Sequence, residues 1–369
     1  MKRVVLVTGH YFESKRKAGF HWLAEAFWEA GWDVTFLTVS ISWLSYFSKD
    51  HRLSYPVLKE RNKLKLVRDR LYSYVWFTPW HPAHLRSKRL NRLATSWYSQ
   101  YGDLDLGDVS PQVQAADTII FESNLGLLLF DRFREMNPKA RYVYRVSDDL
   151  KLLRNHPIAI EVESRSAKDF DLISTPSEYI YRQFSDLPQA RLHPHGLAKE
   201  LFDHPHNNPY STDVTNLVFV GNSHFDYEFL NHASDIFPKW KFHIIGPIEG
   251  LPKKHNIVPY GEMPFKETIP YLKHADIGLQ IRAYSPGAES LTDSLKMSQY
   301  TYCKLPIVAP EFLRSSRPNA FYYLPGDTQS IRVALTDAAE FDRTAIDTSQ
   351  VLSWSEIAAA LTESSDDAD

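Results

Sequence analysis

Short apolar runs alternate with stretches of helical period along most of the chain. Val4–Thr8 predicts a strand, residues 18–30 an amphipathic helix and Asp33–Val39 a second strand. Thr118–Phe121, Arg141–Val146 and Leu172–Ser174 predict further strands, with a helical stretch over Leu125–Glu135. The segment HPHNNPYSTDVTN, residues 204–216, is polar and aperiodic and predicts a linker. Beyond it the alternation resumes. Strands are predicted at Leu217–Val220, Lys241–Ile245, Ile277–Ile281 and Ile307–Ala309, and helices at Tyr227–Phe237, Phe265–His274 and Leu291–Tyr302. This pattern implies an α/β protein with two Rossmann-like domains, residues 1–203 and 217–350, facing across a cleft, and a C-terminal helix and acidic tail at 351–369. Ligands of such folds bind beyond the carboxyl ends of the strands.

Composition narrows the class. A chain of 369 residues exceeds one ordinary core. No apolar run reaches the ~18 residues that span a bilayer. The apolar stretch after Met1-Lys2-Arg3 is too short for a signal peptide and predicts the first strand. A single cysteine, Cys303, excludes an internal disulfide and a multi-thiolate metal site, and a reducing cytoplasm is expected. A net charge of −3 argues against general nucleic-acid binding.

Candidate chemistry concentrates at predicted strand ends. The stretch YRVSDDL, residues 144–150, carries an apolar strand into Asp148 and Asp149. A carboxylate there suits a base, a metal ligand or a helix cap. In SLTDSLKMSQY, residues 290–300, Ser290 and Asp293 resemble a capping box, and Lys296, Gln299 and Tyr300 share one helical face. A cation near a helix start suits a diphosphate; a solvated surface is the competing interpretation. Glu262 in YGEM lies where a carboxylate could accept from ribose hydroxyls, or serve only the following helix. FVGNSHFD, residues 219–226 and including Ser223, is a strand, glycine and polar turn suited to phosphate or base contact. No G-x-G-x-x-G or P-loop occurs. Asp103-Leu104-Asp105 is interpreted as a solvated turn, and no metal site is expected. Residues 72–101 interleave aromatics with Arg86, Lys88, Arg89 and Arg92, while Leu90, Leu93 and Trp97 follow a helical pattern. Such a surface can rest on anionic lipid or pack on its own domain. Lys15 and Arg16 add a basic rim beside the first strand.

The stretches GHYFESKRKAGFH, HPAHLRSKRLNR, FESNLGLLL, MNPKARYVYRVSDDL, FVGNSHFDYEF, NIVPYGEMPFKETIPYLKHADIG and DSLKMSQY occur in order up to about residue 310. On these the chain resembles the xanthan-type GumK glucuronosyltransferases of glycosyltransferase family 70. The resemblance implies a GT-B fold and inverting, metal-independent transfer from UDP-glucuronate, with no cofactor. It also implies an acceptor oligosaccharide on a polyprenyl diphosphate, in exopolysaccharide biosynthesis at the inner face of the cell membrane. Asp148 matches the family's catalytic base and Glu262 its nucleotide-contacting glutamate. Lys296 and Gln299 match its donor-contacting helix, and Tyr300 follows in the same motif. Ser223 and Leu295 stand where the family protein has methionines, Asp149 replaces a glycine, and the loop 282–290 is one residue shorter.

The residue types support that chemistry. A base takes the acceptor's proton while the departing diphosphate charge meets a cation. Asp148 supplies the first and Lys296 the second, with Asp149 expected to cap the following segment or to tune its neighbour. Arg282 and Lys296 both suit a glucuronate carboxylate. A retaining mechanism is disfavoured because Met297 stands eight positions after Glu289 where a second glutamate is usual. Use of another UDP-sugar, epimerisation or hydrolysis, and a non-catalytic nucleotide-sugar-binding subunit are the remaining alternatives.

Overall fold

A computed structural model describes residues 1–363 except 16, 49, 154, 212–213 and 222–223. The chain forms two compact units: Met1–His193 with the C-terminal segment from Trp354, and Pro194–Ser353. The division therefore precedes the expected linker at 204–216, and the end of the chain returns to the first unit. The acidic tail beyond residue 363 lies outside the described residues.

Among the described residues the first unit holds an eight-stranded sheet in the order β3-β4-β2-β1-β5-β6-β7-β8. The strands are β1 Arg3–Thr8, β2 Asp33–Ser42, β3 Lys65–Arg68, β4 Leu71–Thr78, β5 Thr118–Glu122, β6 Arg141–Arg145, β7 Leu172–Thr175 and β8 Ala190–Leu192. β3 runs antiparallel to β4, and the other neighbours are parallel. Central strands covered on both faces need apolar side chains on both. Val4–Val7 and Ile119–Phe121 are accordingly buried throughout. Helix α1, Gly19–Glu29, makes the first parallel crossover. The helical stretch predicted at Leu125–Glu135 divides into a 3₁₀ segment, Leu125–Leu129, and an α-helix, Phe130–Met136. Helix α2, Lys88–Tyr98, lies between β4 and β5. The last helix, Trp354–Thr362, packs on α1, where a Cβ at Gly19 would stand 3.1 Å from the Trp354 ring.

Among the described residues the second unit has a six-stranded sheet in the order β11-β10-β9-β12-β13-β14, with parallel neighbours. Its strands are β9 Asn216–Val220, β10 Lys241–Ile245, β11 Ile257–Gly261, β12 Ile277–Leu279, β13 Ile307–Pro310 and β14 Ala320–Tyr323. Helix α3, Leu295–Tyr302, starts four residues later than predicted, and the expected capping box is absent. Gly287 is left-handed at φ 79° and opens a separate 3₁₀ turn, Ala288–Leu291. Ser290 Oγ donates to the Gly287 carbonyl at 2.8 Å, while Asp293 accepts from Arg317 Nε at 3.1 Å.

Candidate active site

The buried strands β1, β5 and β6 end on the polar residues Thr8, Glu122 and Arg145. Their shared carboxyl edge is the ligand-binding edge of parallel sheets. Glu122 is buried there and fully engaged. It accepts from Thr8 Oγ1 at 2.5 Å and from the Gly9 amide at 3.2 Å, and its other oxygen lies 3.4 Å from His10 Nε2. Burial would raise the Glu122 carboxyl, but the His10 charge and these bonds outweigh it and hold the group at about 2. His10 is raised in return: burial opposes its charge, and Glu122 restores it.

Asp148 follows β6 by three residues and opens into the same cavity, of about 1000 Å³, as His10 and Glu122. Its amide donates to Ser123 Oγ at 2.9 Å, which fixes the turn beside Glu122. The carboxylate remains open to solvent. Its pKa is nevertheless raised, first by the desolvation of its cavity and then by Glu122, with His10 opposing. The two acids of the 144–150 stretch are thus divided. Asp149 is buried and engaged, with one oxygen accepting from the Lys151 amide at 2.9 Å and the other from Gln183 Nε2 at 3.0 Å. Asp149 caps the turn, and Asp148 is left facing the cavity.

Sequence reasoning missed His10 and Glu122. The signal was present in TGH and FES, where buried strands terminate on polar residues.

In the second unit, β9, β10 and β11 run into Gly221, Gly246 and Gly261. Gly246 has φ 140°, and a Cβ there would lie 1.7 Å from the Gly221 carbonyl oxygen, so no side chain fits. The Gly246 amide donates to the Gly261 carbonyl at 2.8 Å, which joins these strand ends into one edge. A Cβ on Gly221 would fall 2.9 Å from Lys296 Nζ, which lies 4.2 Å from the Phe219 ring centroid. Lys296 therefore rests against a glycine and an aromatic face at the start of α3. Burial, then the nearby Arg282 charge, lowers its amine to about 7. Arg282 follows β12, and its buried Nε has no hydrogen-bond partner among the described residues. Gln280 Oε1 is likewise buried and unpaired among the described residues, while its Nε2 donates to Ser294 Oγ at 3.2 Å. Gln299 is buried on α3, and Glu262 is exposed directly after Gly261.

Tyr300 shares the helix but not the edge. It is fully buried, and its hydroxyl donates towards the Val218 and Leu279 carbonyls, at 3.2 and 3.0 Å. The i, i+4 spacing from Lys296 held; the side chain braces α3 on β9 and β12 and is removed from the expected donor contacts. Ser223 lies outside the described residues. Asp103-Leu104-Asp105 makes a turn, with Asp105 accepting from the Gly107 amide at 3.0 Å.

The basic residues around α2 are exposed: Arg86, Lys88, Arg89 and Arg92. Lys15 is exposed too, and Arg16 lies outside the described residues. The helix docks through Asn91 and Tyr98, the former by its carbonyl 3.0 Å from His156 Nε2 and the latter edge-on to the His156 ring. Leu90, Leu93 and Trp97 keep 52, 78 and 48% exposure. Leu90 and Leu93 are left largely uncovered, while the Trp97 ring packs on the same unit with its centroid 4.4 Å from that of Trp80. Among the described residues no helix is long and apolar enough to cross a membrane.

Comparison with known proteins accords with this geometry. Residues 6–176 match the family described as glucuronosyltransferase GumK, N-terminal domain. The UDP-glucuronate:glycolipid 2-beta-glucuronosyltransferase of Xanthomonas campestris pv. campestris is 30% identical over 359 residues, covering 95% of this chain and 87% of its own. Among solved structures, sucrose-phosphate synthase from Thermosynechococcus elongatus superimposes with a TM-score of 0.62 at 13% identity, over 98% of this chain and 95% of its own. HepE of Anabaena, solved with UDP and glucose, gives 0.56 at 11% identity, over 98 and 95%. The structural likenesses support the GT-B fold class; the sequence likeness carries the family.

Proposed function

Because the chain belongs to the GumK family of glucuronosyltransferases, we propose that it moves a glucuronosyl group from UDP-glucuronate to a sugar hydroxyl of a polyprenyl-diphosphate-linked oligosaccharide. Asp148 takes the proton of the acceptor hydroxyl as its oxygen bonds to the anomeric carbon. The bond from that carbon to UDP breaks, and the electron pair leaves on the diphosphate. The α-linked donor gives a β-linked product, in keeping with the β-transfer in the name of the Xanthomonas relative. Lys296 meets the developing diphosphate charge, so the proposed step uses no metal ion. Arg282, charged at any working pH and with its Nε unpaired among the described residues, suits the glucuronate carboxylate. Glu262 and Gln299 are assigned to the nucleotide.

The observation that carries this reading is Asp148. Of two adjacent acids it alone is free of a capping role, and it opens into a cavity that raises its pKa. The test is transfer of label from UDP-glucuronate, UDP-glucose or UDP-galacturonate into a lipid-linked oligosaccharide extract. Label entering the lipid fraction from UDP-glucuronate alone is expected. Transfer from another donor overturns the sugar, and donor binding with no transfer to any lipid acceptor favours a non-catalytic subunit.

The exposed face of α2 supports peripheral contact with an anionic membrane. Basic residues near such a surface contribute about 1 kcal/mol each. Arg89→Gln with Arg92→Gln should therefore weaken binding to phosphatidylserine vesicles roughly 30-fold. The docking residues Asn91 and Tyr98 are untouched, so circular dichroism should be unchanged. Equal vesicle binding by the variant and the parent would remove the membrane from this proposal.

A further inference from the structure

The geometry points to His10, ion-paired to buried Glu122, as a positioning residue that keeps the Asp148 carboxylate ionised for its work as base. This inference rests on the transferase reading above and deepens it.

The backbone around His10 is pinned from every side. Its amide donates to Thr8 Oγ1 at 3.1 Å, and its carbonyl accepts from Thr38 Oγ1 at 2.7 Å. The preceding carbonyl, of Gly9, accepts from Arg52 NH1 at 2.6 Å, and the Gly9 amide is held by Glu122. A loop held this way places one imidazole nitrogen 3.4 Å from the Glu122 carboxylate while the ring still lines the cavity into which Asp148 opens. A turn that only closed β1 would need none of these side-chain bonds.

The charged groups around the imidazole divide cleanly. Glu122 from β5 and Asp148 after β6 favour its charged form, and Arg52 opposes it. Arg52 is itself neutralised by Asp50, at 2.6 Å. His21 on α1 has its ring centroid 5.6 Å from that of His10, but its Nδ1 accepts from the Ala18 amide at 2.9 Å. His21 Nε2 then donates to the Tyr11 carbonyl at 2.9 Å, which leaves that ring neutral. Lys17 at the cavity rim is turned back onto the Phe12 carbonyl, at 2.7 Å. His51, which also lines the cavity, faces Asp50 at 3.7 Å, so among the described residues His10 is the titratable cation that offsets Glu122 beside Asp148. Without it, Glu122 would repel the ionised base within the shared cavity, and Asp148 would hold its proton to higher pH.

The test has two readouts on the full-length protein. In the pH–rate profile, His10→Gln should move the acidic limb upward by about one unit and leave transfer intact at high pH. His10→Lys, which restores a cation, should bring the limb back. With histidine ring carbons labelled, the His10 imidazole should titrate above its ordinary value in NMR spectra and fall in Asp148→Asn. Its signal is assigned by its loss in His10→Gln. An acidic limb unmoved by His10→Gln overturns the inference, as does a His10 titration indifferent to Asp148→Asn. Loss of transfer at every pH in His10→Gln overturns it too, by making His10 the base. If the parent protein transfers no glucuronate at all, the transferase reading fails, and the NMR titration still decides whether His10 and Asp148 are coupled.

Discussion

Asp148→Asn is expected to lower the rate of glucuronosyl transfer about 10²–10⁴-fold, the usual contribution of a positioned general base, while UDP binding stays unchanged. Asparagine keeps the shape and the backbone N–H hydrogen bond to Ser123 Oγ but cannot take the acceptor proton. The pH dependence follows from the direction of the shift. Asp148 must be unprotonated to act, and its pKa lies above that of a free aspartate. Transfer should therefore rise with pH through an acidic limb displaced upward from the ordinary aspartate range, and the Asn variant should lack that limb. Stability runs the other way. A carboxyl whose folded pKa is raised binds its proton more tightly in the native state, so its ionisation opposes folding once pH passes the unfolded value. Asp148→Asn should consequently melt no lower than the parent protein at pH 7. A variant that is inactive and also less stable would mean that Asp148 is structural. One that is stable and still active would remove Asp148 as base.

Lys296→Met is expected to weaken UDP binding about 30-fold, from the loss of a charged contact, and to lower turnover about 10²–10³-fold. Methionine preserves the packing of the side chain against Phe219 and Gly221. The clearer signature is in pH. In the free protein, burial and Arg282 hold the lysine amine at about 7. A bound diphosphate raises it, so the complex prefers the protonated lysine. UDP affinity should be flat below pH 7 and decline above it, by at most about tenfold per unit, until the amine of the complex itself titrates. Calorimetry at pH 8 in two buffers of different ionisation enthalpy should show proton uptake on binding. The Met variant should bind weakly, with no such pH dependence. A parent protein with pH-independent affinity and no proton uptake would take Lys296 off the diphosphate.

The elements were legible where local pattern decides them. Val4–Val7 was placed from its unbroken apolar run and Phe265–His274 from its helical period, because a strand buried on both faces and an amphipathic helix each impose such a pattern. The start of α3 was misread because Ser290 and Asp293 have cap-forming side chains. The left-handed turn at Gly287 and the pairing of Asp293 with Arg317 decide otherwise. Tyr300 was misassigned for a related reason. Its position on the helix face was right, but the depth of that face below β9 and β12 depends on how closely α3 packs. Gly278 sets that approach, since a Cβ there would lie 2.6 Å from the Tyr300 ring. The return of the last helix to the first unit rests on Trp354 meeting Gly19, a contact between opposite ends of the chain.

By itself the sequence determined the α/β class, most strands and the family, and it singled out the acid proposed as base. Each is written in a run of residues close together along the chain, where period, turn chemistry and motif act locally. Only the tertiary structure decided what surrounds that acid. Glu122 meets Thr8 across 114 positions because β5 lies beside β1, on the side that β2 does not occupy. That strand order sets the ionisation of His10, Glu122 and Asp148 together. Electrostatics acts through distance in space and through burial, and neither is a property of the order of residues.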